Sequence, residues 1–237
     1  MIPRFKIVIT GGSGRFARIL KKKFNKKNFF FPKKKELNIL SLKSIEKYLK
    51  KKKPKIIIHL AGLSRPMMVH DKDISKSISL NIIGTANIVK ICSKLNLKIV
   101  YFSTNYVYPG KKGNYKEIDP VLPINNYAWS KLGGEASVQM YKKSLILRVC
   151  MTEKPFLHSH AFNDFKNSFV FQEEIAEILP KLLKYQGILN VGGKSQTVFN
   201  FAKKYKNNVI PISRKKNKFF KNFPNTSISI EKIKNLI

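Results

Sequence analysis

The feature that most constrains the fold is a glycine-rich turn between a short apolar run and an amphipathic stretch. The apolar run covers residues 5–10 (Phe-Lys-Ile-Val-Ile-Thr), and the amphipathic stretch continues to Phe24. Glycines at such a turn let the backbone bend sharply and approach a pyrophosphate, whose charge then lies at the helix N-terminus. A purely structural turn is the alternative interpretation. We predict a dinucleotide-binding turn whose contact residues are Gly11, Gly12, Ser13, Gly14, Arg15 and Phe16.

Apolar runs and helical patterns alternate along the rest of the chain. Strands are predicted at 28–31, 55–60, 97–102, 144–149, 188–191 and 208–212, and helices at 44–52, 74–95, 127–141, 172–184 and 197–205. This alternation is typical of a parallel sheet covered by helices on both faces. We therefore expect an α/β protein with a doubly wound parallel sheet (Rossmann fold), formed by an NAD(P)-binding domain at residues 1–150. Residues 151–237 are expected to form a short substrate-binding lobe with returning sheet elements.

The charge of the chain invites a nucleic-acid interpretation. Its 237 residues carry a formal net charge of +34, and basic surfaces gain affinity by releasing counterions from phosphates. However, 41 of the 47 basic residues are lysines spread through the predicted helix ends and loops, whereas readers of nucleic acid favour the bidentate arginine side chain. We expect no specific nucleic-acid partner, and regard solvation or a coding bias toward lysine as the better explanation.

The chain shows no sign of a membrane or secretory protein. No apolar run approaches the ~20 residues of a membrane-spanning helix, and the N-terminus lacks the apolar region and cleavage site of a signal peptide. Cys92 and Cys150 are too few for a disulfide framework and have no metal-ligand spacing. We expect a cytoplasmic protein without a metal site.

The end of the second predicted strand bears on the choice of cofactor. Acidic residues there bind the ribose hydroxyls of NAD, whereas basic residues suit a 2′-phosphate. Here the strand runs into three lysines, Lys33 to Lys35, with no acid before Glu36. We predict NADPH, with NADH as the alternative, and expect Arg15 and Lys33 to contact the 2′-phosphate. A chance lysine is the competing explanation.

Two polar motifs follow the fourth strand and could supply acid–base chemistry. Tyr127 and Lys131 are four residues apart and share a helix face, so that the ammonium would lower the pKa of the phenol and make it a usable proton donor. Ser103 and Thr104 end the fourth strand at the edge where parallel sheets bind ligands. We expect these hydroxyls to orient a carbonyl beside Tyr127.

The third strand ends in His59-Leu60-Ala61-Gly62, and the small pair leaves room for a cofactor ribose. We expect Ala61 and Gly62 to contact the cofactor, and His59 to pack in the sheet rather than act as an acid or base. Asn81 is polar among apolar neighbours in the long helix. We expect it to bridge backbone groups near the fourth strand beside the cofactor.

Together these motifs resemble the extended short-chain dehydrogenase/reductase family, and within it the dTDP-4-dehydrorhamnose reductases and their sugar-nucleotide relatives. Four segments carry the resemblance: Lys-Glu-Leu-Asn-Ile at 35–39, Phe-Ser-Thr-Asn-Tyr-Val-Tyr-Pro-Gly at 102–110, Tyr-Ala-Trp-Ser-Lys-Leu-Gly-Gly-Glu at 127–135 and Phe-Pro-Asn-Thr-Ser at 223–227. The likeness covers nearly the whole chain and is strongest through about residue 150.

The resemblance implies an NADPH-dependent reductase that delivers hydride to C4 of a nucleotide-linked 4-keto-6-deoxysugar, an oxidoreductase of dTDP-rhamnose and polysaccharide biosynthesis. Tyr127 would donate the proton, Lys131 would lower its pKa and hold the nicotinamide ribose, and Thr104 would orient the carbonyl. The implied partner is the nucleotide-sugar substrate, and a homodimer is compatible with the family.

The sequence departs from the family in ways that leave the nucleotide and the sugar open. Asn105 stands in place of an Asp, residues 149–155 differ from the usual continuation of the fifth strand, and the pocket segment at 156–171 is short. A sugar-nucleotide epimerase remains an alternative. So does a non-catalytic, cofactor-binding regulatory subunit, although such a subunit would not need the complete set of Thr104, Tyr127 and Lys131.

Overall fold

A parallel sheet of six strands forms the centre of the computed structural model, which describes residues 5–24, 27–217 and 219–237. The strands are β1 Ile7–Thr10, β2 Phe29–Phe30, β3 Ile56–His59, β4 Lys98–Thr104, β5 Ser144–Val149, β6 Met151–Thr152, β7 His160–Phe162, β8 Lys166–Asn167, β9 Val170–Phe171, β10 Gly187–Val191, β11 Gln196–Thr197 and β12 Ile210–Ile212. The strand order in the central sheet is β10-β5-β4-β3-β1-β2, with every pairing parallel. Residues 1–4, which belong to the N-terminal segment expected to lack a signal peptide, lie outside the described residues.

Helices cover both faces of this sheet. Side chains alternate along β1, so that Ile7 and Ile9 pack under the helices at 15–23, 172–182 and 231–234, whereas Val8 packs under those at 42–52, 84–94 and 126–139. The doubly wound α/β fold predicted from the alternating pattern is therefore confirmed. The helices are α1 Arg15–Lys23, α2 Leu42–Lys52, α3 Val69–Lys72, α4 Ile74–Ser77, a π-helical segment Ile78–Ile83, α5 Gly84–Lys94, α6 Asn126–Gln139, α7 Gln172–Leu182, α8 Val198–Lys203 and α9 Glu231–Lys234, with 3₁₀ turns at Asn105–Val107 and Arg214–Lys216.

Side-chain caps mark where several of these helices begin, α6 and α2 among them. The Asn125 Oδ1 accepts a hydrogen bond from the Ala128 N–H at 2.9 Å, and the Ser41 Oγ accepts one from the Ser44 N–H at 3.2 Å. Such caps satisfy N–H groups that have no partner inside the helix. Because the Asn125 cap begins α6, Tyr127 lies in the first turn of this helix, near the carboxyl ends of the central strands.

The long helix predicted at 74–95 contains a wide turn that its sequence did not indicate. Residues Ile78–Ile83 adopt π-helical geometry between α4 and α5. A π-turn inserts an extra residue and rotates the side chains around it relative to a regular helix. Asn81 lies inside this segment, so the wide turn determines the direction of its side chain.

The C-terminal part of the chain adds to the main sheet and also builds three two-stranded sheets. Its strand β10 pairs with β5 as the sheet edge, as expected for a returning element. The small sheets pair β12 with β7, β11 with β8 and β6 with β9. The last predicted strand therefore joins a small sheet instead of the main one. The domain division at residue 150 remains a prediction.

Candidate active site

A cleft of about 960 Å³ opens at the carboxyl ends of the central strands. Its walls come from the glycine turn, the loop after β3, the end of β4, α6 and the segment after β5. Nine of the predicted site residues line it: Gly11, Gly14, Arg15, Phe16, Gly62, Ser103, Thr104, Tyr127 and Lys131. Five others do not, namely Gly12, Ser13, Lys33, Ala61 and Asn81. Parallel sheets bind ligands at this edge, which is why the motifs of separate strands converge there.

The glycine turn is shaped by contacts that only glycine permits. A Cβ at Gly12 would lie 2.4 Å from the carbonyl oxygen of Phe31, and Gly11 has a φ of +68° and packs against the backbone of Ala61. Gly14 precedes α1 in extended conformation and offers its first N–H groups no side-chain cap. A helix start of this kind suits a phosphate, and the turn therefore fits the pyrophosphate of a dinucleotide.

Tyr127 lies in the cleft between Thr104 and the ring of His70. The His70 ring meets it edge-on, with the centroids 5.1 Å apart. Burial raises the pKa of the Tyr127 phenol to about 12, while the hydrogen bond to Thr104 and the charge of Arg65 act in the opposite direction. The net shift is therefore opposite to the lowered pKa that was expected for this phenol. Loss of hydration outweighs the favourable charges around it.

Lys131 shows the effect of the same apolar surroundings on a cation. Its Nζ lies 4.1 Å from the centre of the Tyr101 ring, and burial lowers its pKa to about 7, with Glu135 partly opposing the shift. The ammonium is therefore close to titrating at neutral pH. A group in this state can release or take up a proton during a reaction.

Behind Lys131 lies a buried ionic network that the sequence motifs did not reveal. The Glu135 carboxylate accepts hydrogen bonds from Arg148 Nη2 at 2.7 Å and from Arg148 Nε at 3.1 Å. It also accepts one from Ser103 Oγ at 2.5 Å. Glu135 follows Lys131 by one helical turn, and this i,i+4 spacing was the available signal. Ser103 is thus committed to the network, and Thr104 is the strand-end hydroxyl that faces Tyr127.

Asn81 holds the protein framework instead of pointing into the cleft. Its Oδ1 accepts from the Leu63 N–H at 2.7 Å, and its Nδ2 donates to the Leu63 carbonyl at 2.9 Å and to Ser130 Oγ at 2.8 Å. The expected bridging of backbone groups is therefore confirmed, but it joins both backbone groups of Leu63 in the loop after β3 instead of groups near β4. The Asn81 Oδ1 also leaves no room for a side chain at Gly62, since a Cβ there would lie 2.7 Å from it.

His59 packs in the sheet, as expected. It bonds to the hydroxyls of Thr10 at 2.7 Å and Thr85 at 3.2 Å. Burial is the main cause that lowers its pKa to about 3, so the ring stays neutral. Ala61 donates its backbone N–H to the same Thr10 hydroxyl at 3.1 Å. This contact positions the loop after β3 without placing Ala61 in the cleft.

Arg15 and Lys33 have different partners in the structure. Lys33 is exposed just beyond β2, at one edge of the sheet, where the Glu36 carboxylate accepts its backbone N–H at 2.8 Å. Arg15 lines the cleft, and its Nη1 lies 3.1 Å from Glu153 Oε1. Their joint contact with a 2′-phosphate stays a prediction.

The outer half of the cleft is rich in aromatic side chains. Phe165 and Phe220 stack with ring centroids 4.9 Å apart, and Phe162 meets both of them at an angle. Flat apolar walls of this kind suit a planar or apolar ligand group. Among residues 5–24, 27–217 and 219–237, no three His, Cys, Asp or Glu side chains are grouped as metal ligands. In the same ranges, no helix has the length and apolar character needed to cross a membrane.

Comparison with known proteins agrees with this architecture. The family model of the RmlD substrate-binding domain matches residues 5–169, more than half of the chain. This chain belongs to the RmlD substrate-binding domain family. Its match includes the glycine turn, Thr104, Tyr127 and Lys131, and therefore most of the residues that line the cleft.

Curated relatives of this RmlD-family chain include two kinds of protein. It is 28% identical over 146 residues to methionine adenosyltransferase 2 subunit beta of Pongo abelii, a match covering 58% of this chain and 43% of the relative. It is also 28% identical over 194 residues to dTDP-4-dehydrorhamnose reductase of Aggregatibacter actinomycetemcomitans, covering 78% and 60%. The matches thus span between about two fifths and three fifths of these relatives.

Solved structures share the whole fold of this RmlD-family chain. A dTDP-4-dehydrorhamnose reductase of Bacillus anthracis, crystallised with NADP, superposes with a TM-score of 0.86 at 23% identity, covering 98% of this chain and 92% of the other. The enzyme WbmG of Bordetella bronchiseptica, in complex with NAD and UDP, gives a TM-score of 0.78 at 16% identity, covering 99% and 89%. At these identities the likeness concerns the fold.

Proposed function

We propose that this protein is an NADPH-dependent reductase of a nucleotide-linked 4-keto-6-deoxysugar. The observation that carries the proposal is the placement of Thr104, Tyr127 and Lys131 on one wall of the cleft, beside a glycine turn shaped for a pyrophosphate. The reductase names and the NADP complex among the relatives support it. Bound NADPH would supply a hydride to C4 of the sugar.

The chain's own residues would bind the ligands and move the proton. The uncapped start of α1 at Gly14 would hold the pyrophosphate, and Lys33 to Lys35 would favour a 2′-phosphate at the β2 edge. The Glu36 carboxylate, which accepts the backbone N–H of Lys33, reduces the preference for a 2′-phosphate. The three lysines still outnumber this single acid. Thr104 would donate a hydrogen bond to the keto oxygen and orient it beside Tyr127.

Tyr127 would give its phenolic proton to the oxygen that becomes the alcohol. Its high pKa keeps the phenol protonated at neutral pH, which is the form that a proton donor needs. Lys131, with a pKa near 7, would stabilise the phenolate that forms and return a proton to it. The buried Glu135 beneath would support the ammonium in this role.

A non-catalytic subunit is the second candidate, because several relatives bear the name of a subunit beta of methionine adenosyltransferase 2. In that case the cleft would bind the cofactor, and a surface of the chain would contact another enzyme. A homodimer, a cytoplasmic location and a place in polysaccharide biosynthesis also remain predictions, as does the absence of a specific nucleic-acid partner.

The deciding experiment measures NADPH oxidation by the purified protein with a panel of nucleotide-linked 4-keto-6-deoxysugars. Tyr127→Phe should lower turnover of the accepted sugar by about 10²–10⁴-fold. Tyr141→Phe is the matched control, since this tyrosine lies just beyond the far end of α6 and outside the cleft lining. Turnover unaffected by Tyr127→Phe would refute the assigned proton donor. NADPH binding without turnover of any sugar would favour the subunit or an epimerase.

A further inference from the structure

Three charged side chains from three separate segments meet in the lining of the cleft. Arg15 stands at the start of α1, Arg65 in the loop after β3, and Glu153 directly after β6. The Glu153 Oε1 lies 3.1 Å from Arg15 Nη1 and 2.8 Å from Arg65 Nη1, and its Oε2 lies 3.0 Å from the same Arg65 atom. We name this group the clamp, because one carboxylate joins side chains from two other segments that line the cleft.

The proton transfer proposed above leaves the Glu153 carboxylate without a role. The Glu153 side chain is 15% exposed, whereas those of Arg15 and Arg65 are 47% and 40% exposed. Contact with Glu153 uses only the Nη1 group of each arginine, and a guanidinium carries five N–H donors. Both arginines therefore reach water and the cleft with most of their donors, while the carboxylate is enclosed between them.

Charge makes the clamp a better site for a diphosphate than for a carboxylate. Two guanidinium groups and one carboxylate leave a net charge of +1, and the positive end of the α1 dipole lies beside Arg15. A diphosphate carries more negative charge and more acceptor oxygens than a carboxylate, and it can take bidentate hydrogen bonds from both arginines. A diphosphate should therefore displace Glu153, at the cost of breaking its ion pairs.

We propose that Glu153 is a built-in competitor that sets the affinity of the cleft for diphosphate ligands. Its carboxylate holds Arg15 and Arg65 until the diphosphate of a ligand takes its place. The inference rests on the proposed function for the identity of that ligand, since both a nicotinamide dinucleotide and a nucleotide-linked sugar carry a diphosphate. Glu153, an acidic residue of the chain itself, thereby weakens the binding of that diphosphate.

The competition predicts effects of opposite sign for the two halves of the clamp. Glu153→Gln frees the arginines and should tighten diphosphate binding by about 3- to 10-fold, the range for one or two partly exposed ion pairs. Arg65→Gln removes a donor and should weaken binding by at least a similar factor. A merely structural role for the clamp would instead make both variants bind more weakly.

The test measures dissociation constants by titration calorimetry for NADPH, NADH, dTDP and UDP with the wild-type protein and both variants. Glu177→Gln is the matched control, because it removes the same charge from an exposed glutamate that pairs with Lys23 on the outer side of α1 and α7. Thermal unfolding of each variant verifies that it is folded. Tighter binding of both dinucleotides by Glu153→Gln, but not by Glu177→Gln, is the result expected if the cofactor supplies the diphosphate.

Each other outcome has a separate meaning. Tighter binding of dTDP or UDP alone would support the clamp and assign it to the nucleotide-sugar. Unchanged or weaker binding of all four ligands by Glu153→Gln would overturn the inference while leaving the reductase proposal intact. Failure of the wild-type protein to bind NADPH and NADH would refute the proposed function instead. The effect of Glu153→Gln on dTDP and UDP binding would then decide whether the clamp competes with diphosphates. Binding of none of the four would refute both.

Discussion

Replacing Lys131 with methionine should make the protein more stable while removing its activity. The Lys131 ammonium lies over the face of Tyr101 at 4.1 Å, and burial lowers its pKa to about 7 from the ordinary value of 10.5. Folding is therefore less favourable when the Lys131 side chain is charged than when it is neutral. Methionine has a similar length and carries no charge, so it can fill the same space without that penalty.

The size and pH dependence of the gain follow from the two pKa values. At pH 7 the shift corresponds to about 4 kcal/mol, and because the side chain is only partly buried and borders the cleft, we expect about half, or about 2 kcal/mol. Below pH 7 the lysine is charged in both states and the penalty is complete. Above pH 7 the folded protein has released the proton and the unfolded chain still holds it, so the penalty shrinks toward pH 10.5.

Urea unfolding followed by circular dichroism at pH 7 and pH 9 measures this effect. Lys131→Met should exceed the wild type in free energy of unfolding by about 2 kcal/mol at pH 7 and by about 1 kcal/mol at pH 9. Lys142→Met is the control, since this lysine is exposed and should show no such pH-dependent difference. A Lys131→Met protein that is no more stable than the wild type at pH 7, or whose advantage does not decrease at pH 9, would refute the reasoning.

Three further predictions concern the surroundings of the cleft. Glu135→Gln leaves the buried Arg148 without its carboxylate and should lower the free energy of unfolding by about 3 kcal/mol in urea titrations; a loss below about 1 kcal/mol would show that water replaces the ion pair. Asn81→Ala removes three hydrogen bonds to Leu63 and Ser130 and should cost about 2–3 kcal/mol in the same assay, since buried groups lose their partners. Lys33→Glu should weaken NADPH binding by about 10-fold and leave NADH binding nearly unchanged in fluorescence titrations; equal weakening of both would remove Lys33 from the 2′-phosphate site.

Local patterns in the sequence were sufficient to predict the sheet and the residues of one wall of the cleft. The strands and helices follow from the spacing of hydrophobic residues along short stretches of the chain. The glycine turn follows from a backbone conformation that glycine adopts and few other residue types allow. The i,i+4 spacing of Tyr127 and Lys131 likewise follows from helix geometry alone. The structure contains these features as predicted, because each is determined within one strand, one turn or one helix.

Properties that depend on contacts between distant segments could not be predicted in this way. The direction of Arg15 is determined by Glu153, 138 residues away, and the role of Asn81 by a wide helical turn that its neighbours do not signal. Likewise, the pKa of Tyr127 follows from how completely the assembled cleft removes water from the phenol. The sequence by itself therefore determined the fold and indicated Thr104, Tyr127 and Lys131 among the side chains that line the cleft. Only the tertiary structure decided their charge state and partners, because hydration and electrostatic interactions depend on distances in space that sequence separation does not encode.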